Sequence, residues 1–245
     1  MRRLLLALLG LVGLALPAMA ACPSPPPGRP LPREAMPVAL DHPEWRPLVE
    51  GVTARLGQTN LAAVRLVFLG DSITQSWQPN IFEQFYGNRA ALNLGVSGDA
   101  TQGVLWRLEN GGWPAALQPE AIVLLIGTNN IGGGARPENV ALGVGQIVAR
   151  LQRLAPNARI LLLGVLPRGA TAADPTRQVI ARVNQFIAPC ADGRRVLYAD
   201  PGQMMVDPAG NLADWVAFDR LHLSLVGYAI LSAGIEAPLR QALQR

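Results

Sequence analysis

The 245-residue chain has no lysine, only two cysteines and two histidines, and aromatic residues make up only 5% of it. Two cysteines exclude a disulfide-dense mini-domain. Together with two histidines they leave little for a structural zinc site, which usually takes four nitrogen or sulfur ligands. Charged residues are scarce too, 16% against 50% apolar, and that balance excludes wholesale disorder. All 21 basic residues are arginines, scattered along the chain, and the net charge is +4. No basic cluster marks a nucleic-acid partner. The length suits one domain with appendages.

What is present begins with an address. Met1-Arg2-Arg3 precedes a mostly apolar run, Leu4 to Leu16, and then Pro17-Ala18-Met19-Ala20-Ala21-Cys22. The run is too short to span a bilayer well. A basic start, a short apolar run and a small-residue site predict a secretory signal peptide over residues 1–20, hence a periplasmic or secreted protein. Removing it takes away two arginines and no acid, so the net charge falls from +4 to +2. Cys22 has two readings. Met19-Ala20-Ala21-Cys22 resembles a bacterial lipobox, which would make Cys22 a lipid-bearing membrane tether. Alternatively Cys22 pairs with Cys190, as an oxidising compartment permits. Nine prolines fall between residues 23 and 47, so residues 21–40 are expected to be an extended tether with polyproline II character.

From Asp41 to Arg245 short apolar runs alternate with helical stripes. Runs at Arg65–Leu69, Ala91–Leu94, Ala121–Ile126, Arg159–Leu163 and Val196–Ala199 each end at a glycine or aspartate. They read as strands buried on both faces, the mark of a parallel sheet. Val140, Val144, Ile147, Val148 and Leu151 make one helical stripe, and Val179, Val183, Phe186 and Ile187 a second. Leu231, Ile235, Leu239 and Leu243 make a third, with Ser224 as N-cap and Pro238 as a kink. The pattern predicts an α/β domain over 41–245: a doubly wound three-layer sandwich with a five-stranded parallel sheet, flavodoxin-like. Such sheets bind ligands beyond the carboxyl ends of their strands.

Polar residues cluster at those ends. Gly70-Asp71-Ser72 follows the first run, Gly95-Val96-Ser97-Gly98-Asp99 the second and Gly127-Thr128-Asn129-Asn130 the third, while Asp219-Arg220-Leu221-His222 lies near the C-terminus. Singly, each has a structural explanation: a cap, a turn, a satisfied loop. Jointly they supply a serine nucleophile, a base, an orienting carboxylate and oxyanion donors. His42 lies in the proline-rich approach, so His222 is the base candidate inside the α/β body. Asp71 is read as fixing the turn.

This set resembles the SGNH (GDSL) hydrolase family. Ser72, Gly95, Asn129 and His222 match its four blocks in order and spacing. Leu92 to Asp99, Val104 to Gly111 and Gly164 to Gly169 look like one branch of it, the catalytic subunits of intracellular platelet-activating factor acetylhydrolase. The likeness runs from about Trp45 to the C-terminus. It implies a serine esterase with Ser72, Asp219 and His222 catalytic, and with an oxyanion hole made by Ser72, Gly95 and Asn129. It implies neither metal nor cofactor. It implies short-chain, acetyl-type esters of a small molecule, lipid or sugar as substrates, and it raises the expectation of a homodimer. The alternatives are a carbohydrate O-deacetylase, a lysophospholipase or thioesterase of the same superfamily and, in a different class, a non-catalytic binding protein on the same scaffold.

Overall fold

The structure, a computed structural model, describes residues 21–244. The expected signal peptide, residues 1–20, lies outside the described residues. Five strands, β1 Leu66–Gly70, β2 Ala91–Asn93, β3 Ala121–Leu125, β4 Arg159–Leu163 and β5 Val196–Ala199, form one sheet in the order β2-β1-β3-β4-β5. Every pairing is parallel. This is the doubly wound α/β architecture that the alternation predicts.

The two-residue period of the strands sorts their apolar side chains into two cores. Leu66, Phe68, Val123, Leu125, Leu161 and Leu163 face one side. Val67, Leu69, Ile122, Leu124, Ile160 and Leu162 face the other. The first core is covered by α3 (Pro79–Tyr86) and α8 (Leu225–Leu243). The second is covered by α1 (Trp45–Gln58), α4 (Thr101–Glu109), α6 (Pro137–Leu154) and α7 (Pro175–Ile187). β1, β3 and most of β4 are buried on both faces, whereas β2 and the end of β5, at the sheet edges, are partly exposed. Ser224 caps α8 by accepting from the Gly227 N–H. The helix then runs through Pro238 without interruption.

The chain leaves β1 towards β2 and then crosses back to β3, so the winding reverses between β1 and β3. The carboxyl ends of those two strands open the crevice where α/β sheets take ligands. Two short helices start there, α2 (Ser72–Gln75) after β1 and α5 (Thr128–Gly132) after β3.

The proline-rich stretch is extended, but it lies along the domain. Thr101 Oγ1 donates to the Glu34 carbonyl at 2.7 Å, and the Val38 N–H to the Gln102 carbonyl at 3.1 Å. Cys22 is disulfide-bonded to Cys190, just beyond α7. Gly143 and Gly145 of α6 make room for this strap: a Cβ at either would clash with the carbonyl of Glu34 or Pro23. A segment rich in proline offers carbonyl acceptors and apolar rings but few N–H donors, which suits it to lie across helices rather than join the sheet.

Candidate active site

Ser72 stands at the first position of α2. Asp71 caps that helix, its Oδ1 accepting from the Ile73 N–H at 3.0 Å. Tyr228 of α8 holds the same turn from below, its hydroxyl donating to the Ile73 carbonyl at 2.8 Å. Asp71 is buried, and burial pushes its carboxyl up to about 7, with the nearby Asp99 charge adding to the shift. It is a buried structural cap, turned to the backbone.

Ser72 Oγ lies 3.0 Å from His222 Nε2, across 150 residues of sequence. His222 Nδ1 lies 2.7 Å from Asp219 Oδ2. Asp219 Oδ1 also accepts from the N–H groups of Leu221 and His222, at 3.0 and 2.6 Å. Partial burial acts to raise the Asp219 pKa, but these bonds and the His222 ring outweigh it and hold the carboxyl below its usual range. An ionised carboxylate only accepts. Nδ1 therefore carries the imidazole proton, which leaves the Nε2 lone pair to accept from the Ser72 hydroxyl.

The Asp219–His222 turn is held by backbone. Phe218 N–H donates to the His222 carbonyl, Ala217 bridges Leu223, and Ser224 N–H donates to the Val216 carbonyl. Residues 215–225 thus form a small antiparallel hairpin with Asp219 and Arg220 at its tip. Arg220 adopts φ 65°, the left-handed region. That conformation folds the chain back so that both carboxylate oxygens reach His222. The Arg220 carbonyl accepts from Gly169 N–H and its guanidinium donates to the Leu212 carbonyl, which holds the strained residue in place.

The loop after β2 is clasped to the serine turn. A Cβ at Gly95 would clash with the backbone of Gln75, so only glycine lets the two segments come this close. Asn93 donates to the Thr74 carbonyl at 2.7 Å and accepts from the Gly95 N–H at 2.9 Å. Asn129 Nδ2 donates to the Asp99 carbonyl at 2.7 Å, which links the loop after β3 to the loop after β2. Its amide has a second N–H. Ser72 N–H belongs to the first turn of a helix, where such groups have no intrahelical acceptor. Of the three oxyanion donors expected from the sequence, Gly95 is thus engaged by Asn93 before any substrate arrives.

Beneath this loop lies a buried ion pair that sequence reasoning missed. Arg107 Nε donates to Asp99 Oδ2 at 2.8 Å, its Nη1 donates to the Leu94 carbonyl, and Trp45 Nε1 donates to Asp99 Oδ1. Burial raises the Asp99 pKa, against the pull of the Arg107 charge and hydrogen bonds. Asn93 was also missed. Neither leaves a mark in apolar periodicity, because their partners are brought together only by the packed loop. Among the described residues there is no group of three or more His, Cys, Asp and Glu arranged to hold a metal ion. No helix of the described residues is long and apolar enough to cross a membrane.

A serine hydroxyl hydrogen-bonded to an imidazole that a carboxylate orients, at the switch point of the sheet, is an arrangement suited to acyl transfer. With the comparisons below, they place the protein among the carboxylic ester hydrolases. The chain belongs to the GDSL-like lipase/acylhydrolase family, whose model matches residues 68–230. It is 37% identical over 182 residues to bovine platelet-activating factor acetylhydrolase IB subunit alpha1, covering 73% of this chain and 76% of that one. Among solved structures, a GDSL-like lipase from Bacteroides thetaiotaomicron superposes with TM-score 0.66 at 22% identity, covering 81% of this chain and 98% of that one. The acetylxylan esterase Axe2 from Geobacillus stearothermophilus superposes with TM-score 0.58 at 19% identity, covering 74% and 95%. At those identities the two structures share the fold.

Proposed function

We propose that the protein is an exported serine esterase that hydrolyses short-acyl, acetyl-type esters through an acyl-enzyme on Ser72. The observation that carries this reading is the unbroken chain from Ser72 Oγ through His222 to Asp219. Ser72 Oγ attacks the ester carbonyl while His222 Nε2 takes its proton. Asp219 stabilises the resulting imidazolium. The negative charge that develops on the carbonyl oxygen is met by the N–H groups of Ser72 and Gly95 and by the Asn129 amide. Gly95 N–H keeps its place, and the Asn93 side chain that holds it in the free enzyme shares it with that oxygen. The tetrahedral species collapses, His222 gives its proton to the departing alkoxide, and the alcohol leaves. Water then repeats the sequence on the acyl-serine and restores the free hydroxyl. The acetylhydrolase relative supports the acetyl preference.

Ser72→Ala should lower kcat/KM for p-nitrophenyl acetate by about 10⁴-fold or more while the unfolding temperature stays near that of the parent. Retained activity would overturn the assignment. A p-nitrophenyl series from C2 to C10 should peak at the short end, and a C8 or C10 optimum would overturn the acyl preference. Export is supported by the N-terminal pattern together with the Cys22–Cys190 disulfide, a bond suited to an oxidising compartment. A diacylglyceryl adduct on Cys22 in the mass spectrum of the mature protein would contradict the disulfide.

A further inference from the structure

Six large apolar side chains are exposed among the described residues, and four of them, Trp215, Phe218, Leu225 and Val226, fall on or directly after the hairpin that carries Asp219 and His222. Trp215 and Phe218 are 60% and 65% exposed. The hairpin brings the two ends of this group together: Ser224 donates from its N–H to the Val216 carbonyl and from its hydroxyl to the Trp215 carbonyl, so residue 215 lies beside residue 225. Phe218 stacks near-parallel with the His222 imidazole, centroids 6.1 Å apart and planes 22° apart. The other face of the hairpin is conventionally buried, with Val216, Ala217 and Leu223 in the core. A cluster of exposed apolar groups is a binding surface more often than an accident, and this one adjoins the reacting atoms.

We propose that Trp215, Phe218, Leu225 and Val226 receive the alcohol half of the ester, so that the preferred substrates are acetyl-type esters of hydrophobic alcohols. This deepens the esterase reading and rests on it. The departing alkoxide must take its proton from His222 Nε2, so its oxygen sits within hydrogen-bond reach of that ring. The carbons attached to that oxygen then lie beside the ring's neighbour, Phe218, and a longer chain reaches Trp215 and Leu225. A sugar would use an aromatic face but would also need polar partners for its hydroxyls. Leucine and valine offer none, and they favour an aliphatic or aromatic alcohol.

The test compares kcat/KM for ethyl acetate and hexyl acetate, both below their solubility limits, with triacetylated methyl xyloside as a third substrate. The ratio of hexyl to ethyl acetate cancels any change in the fraction of active enzyme. The parent should favour hexyl acetate by about tenfold, since on an open surface the four added methylenes are a little under half removed from water. Trp215→Ala combined with Leu225→Ser should bring the ratio to about twofold, and Trp215→Phe should restore most of it. A ratio near one in the parent, or one unmoved by the double substitution, overturns the proposal while leaving the esterase intact. Preference for the xyloside over hexyl acetate also overturns it. So does a flat ratio accompanied by a dimer that Trp215→Ala converts to monomer, which would make the face a contact between copies. Loss of Ser72-dependent turnover of all three esters would overturn the esterase reading and the proposal together.

Discussion

The two halves of the site are built in opposite ways. On the serine side, Ser72, Asp71, Asp99 and Arg107 are buried, and the loops that carry them are clasped to one another by hydrogen bonds and by glycine contacts. On the histidine side, Asp219 and His222 sit on a surface hairpin with their side chains 43% and 32% exposed. Their carboxylates shift in opposite directions: burial raises Asp71, whereas hydrogen bonds hold Asp219 low. In the proposed reaction the nucleophile and the oxyanion donors must hold a fixed geometry around a developing charge, and a buried frame supplies that. The base must exchange protons with an entering water and a leaving alcohol, and an open hairpin leaves it accessible.

The sharpest way to break this contrast is to remove one charge from each side. Arg107→Leu leaves Asp99 buried without its counter-charge and should cost about 3–5 kcal/mol of unfolding free energy, measured by urea denaturation. Asp219→Asn, on the exposed side, should cost less than about 1 kcal/mol in the same measurement. Equal losses would erase the distinction.

Next in size is the oxyanion side. Asn129→Ala should lower kcat by about 10²–10³-fold with a small change in KM, because the role proposed for its amide is on charge that exists only in the transition state. A change confined to KM would assign Asn129 to substrate binding instead.

A smaller effect than that on kcat is in pH dependence. Asp71 has a folded pKa of about 7, above its unfolded value near 3.9, so its protonated form stabilises the fold. That contribution is complete below the unfolded value and is lost as pH rises through the folded one. Between pH 5 and 6 the folded carboxyl keeps a proton that the unfolded chain has released. Unfolding free energy should therefore fall by about 1 kcal/mol across that unit, and the Asp71→Asn variant should lack this component. Asp219 contributes in the other window: its stabilisation is present above the usual carboxylate value and fades as pH falls through its lowered folded one. Parallel pH curves for the parent and Asp71→Asn would contradict the buried assignment.

Most of the fold was readable along the chain. The five apolar runs became the five strands with no end shifted by more than one residue, and Ser224 caps the last helix as its position suggested. Ser72, Gly95, Asn129 and His222 were legible because each follows an apolar run or sits in a short block of fixed spacing. Asn93, Arg107 and Arg220 were not, for a common reason. Asn93 locks two loops distant in sequence, Arg107 pairs with Asp99 only in the packed interior, and Arg220 takes a left-handed backbone that arginine seldom adopts. Gly143 and Gly145 fall within a helical stripe, and that the element packed on them is the proline strap is visible only in the folded chain.

The scarcity of histidine singled out His222, and strand-helix alternation specified a doubly wound sheet, because both are properties of order along one chain. Tertiary structure alone decided that the proline-rich segment lies against the domain. It also decided that Gly95 N–H is held by Asn93 and that Phe218 stacks on the histidine ring. Those outcomes depend on which surfaces meet in space, and a surface is composed of residues that sequence order does not place together.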